Sequence, residues 1–595
     1  MPRETNFMVG GEAGQGVQTI GFILAKTLTR AGIEVFADQD YESRIRGGHN
    51  FFRVRASDVE VMALSESVDV LIAIDQNTID RHHDEVKSDG VVIFDPDKVR
   101  IEDKKLKAFG VPLEKLAQET ASNKLMANSV AIGAAVAVGG YKFEFLGQVV
   151  QDQFEHIGNN IADSNVKAAR AGYEYVWKNK PELIRKPMEV VSSKRKMLLN
   201  GNEAIALGAM AAGCKFVAAY PMTPTTSILE FIAQRDEKYN IVAIQPEDEI
   251  AAINMAIGAG FAGVRAMTAT SGDGFALMTE GFGLAGCTET PVVIVLGQRP
   301  GPAVGLPTRT EQGELNFAVY GGSGDFPRAV LAPRSVEDAF YITAKAFNLA
   351  EKYQIPVVIL TDHHLATAYQ TVNKFDLQKV KIDRGELITD KGAKNISEYK
   401  RHKFTESGVS PRLIPMPGGP LVVTDSDEHD EAGHMIEDAE TRTQMMLKRI
   451  KKIDGLAKDI ARPMSQSRPS AKVMLIGWGS TYGPIVEASA MLEKDGLNAN
   501  VLHLNELWPF PSSAVASALA TTKTSVVIEN NATGQLAHLI AAETGVKPTM
   551  NLLKFDGRPF SPAYIVEQIK KEVTSNGEYN GLRTGDDHPV VPGLR

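Results

Sequence analysis

The sequence predicts a multidomain α/β protein of doubly wound, parallel-sheet units, and three observations carry that prediction. Between Phe216 and Leu296, apolar strand-like runs alternate with helix-like runs. Such alternation sets parallel strands side by side, with ligands at their carboxyl ends. Near the start, a short strand, Phe7–Val9, leads into Gly10-Gly-Glu-Ala-Gly14-Gln-Gly16 and a helix through Leu28. Towards the end, strand-like Lys472–Gly477, Ala499–His503 and Ser525–Ile528 are separated by helical stretches. With 595 residues, the chain is too long for one core and corresponds to about four domains.

The first unit extends to about residue 190, with further strands at Ile33–Phe36, Val70–Ile74 and Val91–Phe94. A lysine-rich linker near Ser192–Lys196 ends it. The second unit, 197–460, opens with the strand Phe216–Tyr220, cut by Pro221-Met-Thr223-Pro224-Thr-Thr-Ser227. Pro224 suits a first helical turn, and Ser227 with Glu230 fits a capping box. The free N–H groups of such a helix start favour an anion, so this turn suits a substrate carboxylate. A strand at Ile241–Gln245 then meets Pro246-Glu-Asp-Glu249 and a small-residue helix to Gly258. Strand Ala266–Ser271 is followed by Gly272-Asp-Gly274, read as a tight turn, and a helix from Phe275 to Ala285. Pro291–Leu296 is continuously apolar, as doubly buried strands are. Residues from Tyr369 to about Ser470 are irregular and charged and attach to this unit. The last unit spans 471–595.

Composition narrows the function. Apolar residues at 43% and charged residues at 23% are ordinary for a globular chain. A net charge of −9 without a basic tail or stripe argues against a nucleic-acid binder. Two cysteines, Cys214 and Cys287, exclude a disulfide framework and a four-thiolate iron–sulfur site within this chain. Met1-Pro-Arg-Glu-Thr lacks a signal peptide's apolar core, and the small-residue run Ala131–Gly140 is too short to span a membrane. A soluble, cytoplasmic protein is expected.

Tyr220-Pro-Met-Thr-Pro224, Glu249 with its alanine-rich helix, and Gly301-Pro-Ala-Val-Gly-Leu-Pro-Thr-Arg309-Thr-Glu-Gln-Gly313 resemble the alpha subunit of 2-oxoacid:ferredoxin oxidoreductases. These are thiamine diphosphate enzymes that join coenzyme A to an oxidatively decarboxylated 2-oxoacid. Residues 1–190 look like the family's gamma subunit fused ahead of alpha. Residues 471–595 resemble the carboxyl-terminal domain of transketolase-like enzymes, with Glu529-Asn-Asn-Ala-Thr-Gly534 and Asp556-Gly-Arg-Pro559 matching the family.

The resemblance assigns roles. Glu249 matches the glutamate that hydrogen-bonds the aminopyrimidine and drives its imino tautomer, the base that activates the cofactor. A purely structural reading is that Glu247, Asp248 and Glu249 favour a helix N-terminus. Thr223, with Tyr220, corresponds to the substrate contact; Met222 stands where the family usually has isoleucine. Arg309 suits a bidentate grip on a carboxylate, with Arg299 as backup; otherwise it is a surface arginine paired with Glu311 or Glu314. Gly272-Asp273-Gly274 lacks the following asparagine of a Mg²⁺–diphosphate site, and the family commonly has proline at 273. The diphosphate and Mg²⁺ are therefore expected on a beta partner, together with a [4Fe–4S] cluster; no metal is assigned to this chain. Gly14 and Gly16 with Arg46 suit coenzyme A phosphates, although Thr19 stands where a dinucleotide fingerprint needs its third glycine.

The implied reaction is coenzyme A-dependent decarboxylation of 2-oxoglutarate to succinyl-CoA and CO₂, with ferredoxin as electron acceptor. A strongly reducing ferredoxin would run it backward to fix CO₂. The complex is expected to be a dimer of heterodimers. The gamma–alpha fusion favours 2-oxoglutarate; a broad or pyruvate-specific enzyme is the alternative. From other classes, a nicotinamide-dependent dehydrogenase or a non-catalytic scaffold subunit also stands open. Arg299 and Arg328 are candidate cations for a second carboxylate. His429 and His434 match no zinc spacing and read as a solvated acidic loop, His82-His83 and His363-His364 receive no role, and Met8, Met210 and Met255 read as core fillers.

Overall fold

The computed structural model describes residues 3–43, 47–188, 196–388, 393, 396, 398–574 and 583–584. They fall into two compact units. One comprises Met1–Asn200, Thr367–Lys374 and Ser561–Ile565; the other, Gly201–Ala366, Phe375–Phe560 and Val566–Arg595.

The first unit is built on an eight-stranded sheet. Its order is Lys107–Gly110, Val86–Phe94, Val68–Ala73, Glu4–Glu12, His49–Ser57, Glu34–Asp40, Tyr369–Val372 and Met197–Asn200. The first four strands are parallel and the remaining pairings are antiparallel. The sheet is thus mixed, where sequence alternation predicted a parallel one. Four strands escaped the sequence reading, Lys107–Gly110, His49–Ser57, Tyr369–Val372 and Met197–Asn200, and the last three lie in the antiparallel half. Tyr369–Val372 therefore belongs to this unit rather than to the charged segment that follows it.

Helix Ala127–Val138 is buried almost all round and crosses Asn159–Asn179 through small residues. A β-carbon at Gly133 would lie 1.9 Å from the Ala169 carbonyl oxygen, and one at Gly172 would lie 2.0 Å from that of Val130. Among the described residues, no helix is long and apolar enough to cross a membrane. Residues 192–195 of the expected linker lie outside the described residues; Lys196 pairs with Glu34.

The second unit carries a seven-stranded sheet in the order Glu506–Trp508, Ala329–Leu331, Pro356–Asp362, Val292–Gln298, Ala266–Thr270, Phe216–Ala218 and Val242–Ile244. All pairings except that of Glu506–Trp508 are parallel. A largely parallel six-stranded sheet centres on Val473–Trp478, Ala499–Leu504 and Thr524–Glu529. The expected α/β class with parallel-dominated sheets is therefore observed. In the seven-stranded sheet the chain turns in opposite directions on either side of the Phe216–Ala218/Ala266–Thr270 pair. Such a switch point opens a crevice at the carboxyl ends of the strands, where ligands bind in open α/β sheets.

The charged segment is tied down by buried ions. Glu289, in a left-handed conformation (φ 52°) and wholly buried, accepts from His402 Nδ1 at 2.8 Å and from Lys448 Nζ at 2.5 Å, and pairs with Lys452. Burial pushes the Glu289 carboxyl up, but the two lysines and His402 outweigh it and hold the group well below the usual carboxylate range. His429 is buried with its ring 4.0 Å from that of His402, which corrects its expected place in a solvated loop, whereas His434 is exposed. Among the described residues no group of three or more metal-ligating side chains forms. Met8 is a core residue as expected, whereas Met255 is 42% exposed and Met210 only half-buried.

Candidate active site

Glu249 is the first residue of helix Glu249–Phe261, capped by Asp248, whose side chain accepts from the Ala251 N–H at 2.7 Å. Asp248 therefore serves the helix start, and Glu249 is left to point elsewhere. Glu249 is 4% exposed, and its Oε1 finds no hydrogen-bond partner among the described residues. A buried unpaired acceptor is costly unless a ligand pairs it. The carboxyl lies against Gly274: a β-carbon there would sit 2.8 Å from Glu249 Oε1 and 2.0 Å from Thr270 Oγ1. This corrects the reading of Gly272-Asp-Gly274 as a tight turn. These residues form the first turn of helix Gly272–Cys287, and Gly274 is glycine because two other elements approach it. A buried carboxyl oxygen without a partner among the described residues, set against a glycine, fits the aminopyrimidine of thiamine diphosphate.

The Tyr220–Thr225 turn follows strand Phe216–Ala218 at the same edge. The helix starts at Thr226, so Pro224 precedes its first turn, and the Thr223–Pro224 peptide is cis. The expected capping box does not form: Ser227 Oγ accepts from Asn202 Nδ2 at 2.8 Å. The same Nδ2 donates to the Pro224 carbonyl at 2.7 Å, so buried Asn202 holds the turn. Nothing local in the sequence marks that role. Gly297 lets the turn sit on the next strand, as a β-carbon there would be 2.6 Å from Thr225 Cγ2. Thr223 is half-buried and Tyr220 is 38% exposed. Arg299 Nη1 donates to the Thr223 carbonyl at 3.0 Å, and Nη2 pairs with Asp273 at 3.3 Å. Asp273 is thus a helix residue with an ion partner.

Arg309 lies in the loop after strand Val292–Gln298. Leu306 N–H donates to Pro300 O at 3.0 Å and Arg309 N–H to Leu306 O at 3.1 Å. Thr310 Oγ1 reaches Asp362, at the end of the neighbouring strand, at 3.3 Å. A cavity of about 510 Å³ opens beside this loop, walled by Asp273, Arg299, Glu311, Glu314, Phe317 and Thr533 among others. Burial raises the Glu311 carboxyl to about 7. Burial, then repulsion by Glu311 and Asp273, raises Glu314 to about 8. Two carboxyl groups that hold protons near neutrality make this wall less hostile to an anion than its composition suggests; neither was singled out from sequence as part of a cavity. Arg328 instead donates to the Gly321 carbonyl, with its guanidinium 4.0 Å from the centre of the Phe326 ring. It does not line this cavity.

In the other unit, Gly14 (φ 91°) and Gly16 (φ 77°) are left-handed, and Gly16 caps the 14-residue helix Val17–Arg30. A β-carbon at Gly14 would meet nothing within 4 Å, whereas at Gly16 it would meet Asn128 Nδ2 at 2.6 Å. Asn128 Nδ2 also donates to Gln15 O at 2.9 Å and braces the loop. Arg46 lies outside the described residues. His82, given no role from sequence, joins a chain in which His49 Nε2 and His82 Nε2 are 2.8 Å apart and His82 Nδ1 meets Glu85 at 2.8 Å.

Comparison with known proteins gives the family. Residues 207–448 match the model of the thiamine diphosphate-binding region of pyruvate flavodoxin/ferredoxin oxidoreductases. Residues 6–175 match the pyruvate ferredoxin/flavodoxin oxidoreductase domain, and 464–563 the transketolase carboxyl-terminal domain. The 2-oxoacid:ferredoxin oxidoreductase alpha subunit of Saccharolobus solfataricus is 33% identical, covering 96% of this chain and 98% of that one. The 2-oxoglutarate synthase subunit KorA of Archaeoglobus fulgidus is 37% identical over 56% of this chain and 88% of its own. The structure of 2-oxoglutarate:ferredoxin oxidoreductase from Magnetococcus marinus, with 2-oxoglutarate, coenzyme A and succinyl-CoA bound, superposes with a TM-score of 0.87. It is 32% identical and covers 96% of this chain and 100% of that one. The chain therefore belongs to the alpha subunits of the 2-oxoacid:ferredoxin oxidoreductases, multisubunit enzymes of the thiamine diphosphate type.

Proposed function

We propose that this chain is the fused gamma–alpha subunit of an enzyme that converts 2-oxoglutarate, coenzyme A and two oxidised ferredoxins to succinyl-CoA, CO₂, two reduced ferredoxins and a proton. The observation that carries the reading is the buried Glu249 carboxyl, whose Oε1 has no hydrogen-bond partner among the described residues. Thiamine diphosphate, when bound, supplies the carbon nucleophile and electron sink for decarboxylation.

Glu249 holds the aminopyrimidine by its ring nitrogen and sets its protonation. Thr223, with Tyr220 beside it, offers a hydroxyl to the 2-oxoacid, and Arg309 binds its carboxylate through paired N–H groups. Arg299, which lines the cavity, is the candidate cation for the distal carboxylate of 2-oxoglutarate. Gly14 and Gly16 lie at a helix start that has no side-chain cap, which suits a phosphate of coenzyme A, with Arg46 as the candidate cation. Ile250 and Met255 on helix Glu249–Phe261 and Leu277 on helix Gly272–Cys287 are exposed. They suit a beta subunit that brings the diphosphate–Mg²⁺ site and a [4Fe–4S] cluster, in a cytoplasmic dimer of heterodimers. On this reading the chain divides into a gamma-type domain, 1–190, a pyrimidine-binding domain, 197–460, and a transketolase-like domain, 471–595. With a strongly reducing ferredoxin the same site carboxylates succinyl-CoA.

The Magnetococcus enzyme and the KorA relatives support 2-oxoglutarate. The full-length relatives named for 2-oxoacids in general favour a second reading, a broad-specificity enzyme. The test is viologen reduction by the complex purified anoxically from its host, with coenzyme A and either 2-oxoglutarate or pyruvate. A preference for 2-oxoglutarate is expected; equal rates support the broad reading, and no reduction by a cofactor-loaded complex refutes both.

A further inference from the structure

We propose that Gln312 and Gly557 are positioning residues for Arg309, so that the carboxyl-terminal sheet sets the enzyme's affinity for its 2-oxoacid. This rests on the reading of Arg309 as the carboxylate-binding residue.

Gln312 is fully buried three residues beyond Arg309, and its backbone and its side chain are both engaged. Its N–H donates to Asn530 O at 2.6 Å, and its Oε1 accepts from Asn530 N–H at 3.1 Å. Its Nε2 donates to Trp478 O at 2.9 Å, and its carbonyl accepts from Asn531 Nδ2 at 3.1 Å. Trp478 ends one strand of the six-stranded sheet, and Asn530 and Asn531 follow the end of another. One glutamine thus pins the arginine loop to the carboxyl edge of a second sheet. Four polar bonds are more than packing a loop requires, and each fixes a direction as well as a distance.

The second clamp acts on Arg309 itself. Thr310 N–H donates to Gly557 O at 3.2 Å. Gly557 is left-handed (φ 78°), and a β-carbon there would lie 3.0 Å from Arg309 Cβ and 3.3 Å from its Cγ. The stem of the arginine therefore runs along the glycine's open face. Asn530 Nδ2 donates to Lys554 O and Arg558 O at 3.3 and 3.1 Å, which joins the Gly557 turn to the Gln312 anchor. Glu529-Asn-Asn and Asp556-Gly-Arg, which resembled the family without an assigned task, thereby acquire one. A guanidinium pairs bidentately with a carboxylate only in a narrow geometry, and a misplacement of about 1 Å can cost up to about 100-fold in rate.

The experiment compares Gly557→Ala with Gly545→Ala in the complete heteromeric enzyme. Gly545 is also left-handed (φ 72°), but a β-carbon there meets nothing within 4 Å. Both variants put a side chain on a left-handed residue, and only the first presses on Arg309. Gly557→Ala is expected to raise KM for the 2-oxoacid about ten-fold, with KM for coenzyme A and Kd for thiamine diphosphate unchanged. Gly545→Ala leaves all three unchanged. Gln312→Ala gives the same selective rise in KM; if it fails to assemble, Gly557→Ala decides alone. A wild-type KM in Gly557→Ala, while Arg309→Lys raises KM, overturns the positioning role and leaves the reading of Arg309 standing. A wild-type KM in Arg309→Lys overturns both.

Discussion

Gly274→Ala separates folding from cofactor binding at the Glu249 crevice. The added β-carbon would lie 2.0 Å from Thr270 Oγ1 and 2.8 Å from both Cγ and Oε1 of Glu249. Thr270 is buried at a strand end and, being β-branched, has few rotamers to escape into. The Glu249 carboxyl is the movable neighbour. To restore an ordinary separation of about 3.5 Å it must retreat by about 0.7 Å. That displacement stretches a normal hydrogen bond to a ligand beyond about 3.2 Å, where it ceases to count as one. Losing a hydrogen bond to a charged group costs about 1.5–3 kcal/mol, or about 10- to 100-fold in affinity. Titration of thiamine diphosphate with Mg²⁺ into the cofactor-free complex measures that loss as a rise in Kd. Gly283→Ala, in the same helix, is the control, since its β-carbon meets only Ser323 O at 3.9 Å. It should leave Kd unchanged and stabilise the helix by up to about 1 kcal/mol. A wild-type Kd in Gly274→Ala would refute the reasoning, because the carboxylate's place would then not matter.

Three further outcomes are expected. Glu289→Gln leaves Lys448 and Lys452 buried without their counter-ion and should cost about 3–5 kcal/mol, measured as a lower melting temperature. Because the folded Glu289 carboxyl lies below its unfolded value, its contribution is present above about pH 4.3 and is lost as pH falls through the folded value. The wild type should therefore lose more stability on acidification than the variant does. Arg309→Lys keeps the charge but loses the fork, and should raise KM for the 2-oxoacid about ten-fold with a smaller change in kcat. Glu314, raised to about 8, gains negative charge on the cavity wall as pH rises through that value. KM for an anionic substrate should rise over the same interval, and Glu314→Gln should flatten the profile.

Where the candidate residues fall in the fold was partly legible because those signals are local. A capping aspartate, Asp248, before a run of small residues marks the helix that carries Glu249, and the alternating strands place that helix start at a sheet edge. What was missed depends on residues distant in the chain. Gly272 and Gly274 looked like turn formers, yet Gly274 is required by the approach of Thr270 and Glu249. Asn202 holds the Pro224 turn from an earlier helix, and Gln312 is anchored by Trp478 and Asn530. Strand His49–Ser57 was within reach, since its centre alternates buried and half-buried positions. Tyr369–Val372 was not, because nothing in four residues reveals a partner strand more than three hundred positions earlier. The histidine chain His49–His82–Glu85 is likewise invisible until strand His49–Ser57 meets helix Gln76–His82 and the turn that follows it.

The central claim is that Glu249 activates thiamine diphosphate, and the exchange of the cofactor's C2 proton with deuterium tests it most directly. The measurement compares the intact complex with its Glu249→Gln form, both loaded with thiamine diphosphate and quenched in acid at millisecond intervals. The account predicts that exchange slows by about 10²- to 10⁴-fold in the variant, while bound cofactor remains detectable. Exchange at the wild-type rate would contradict it and place the activating group elsewhere.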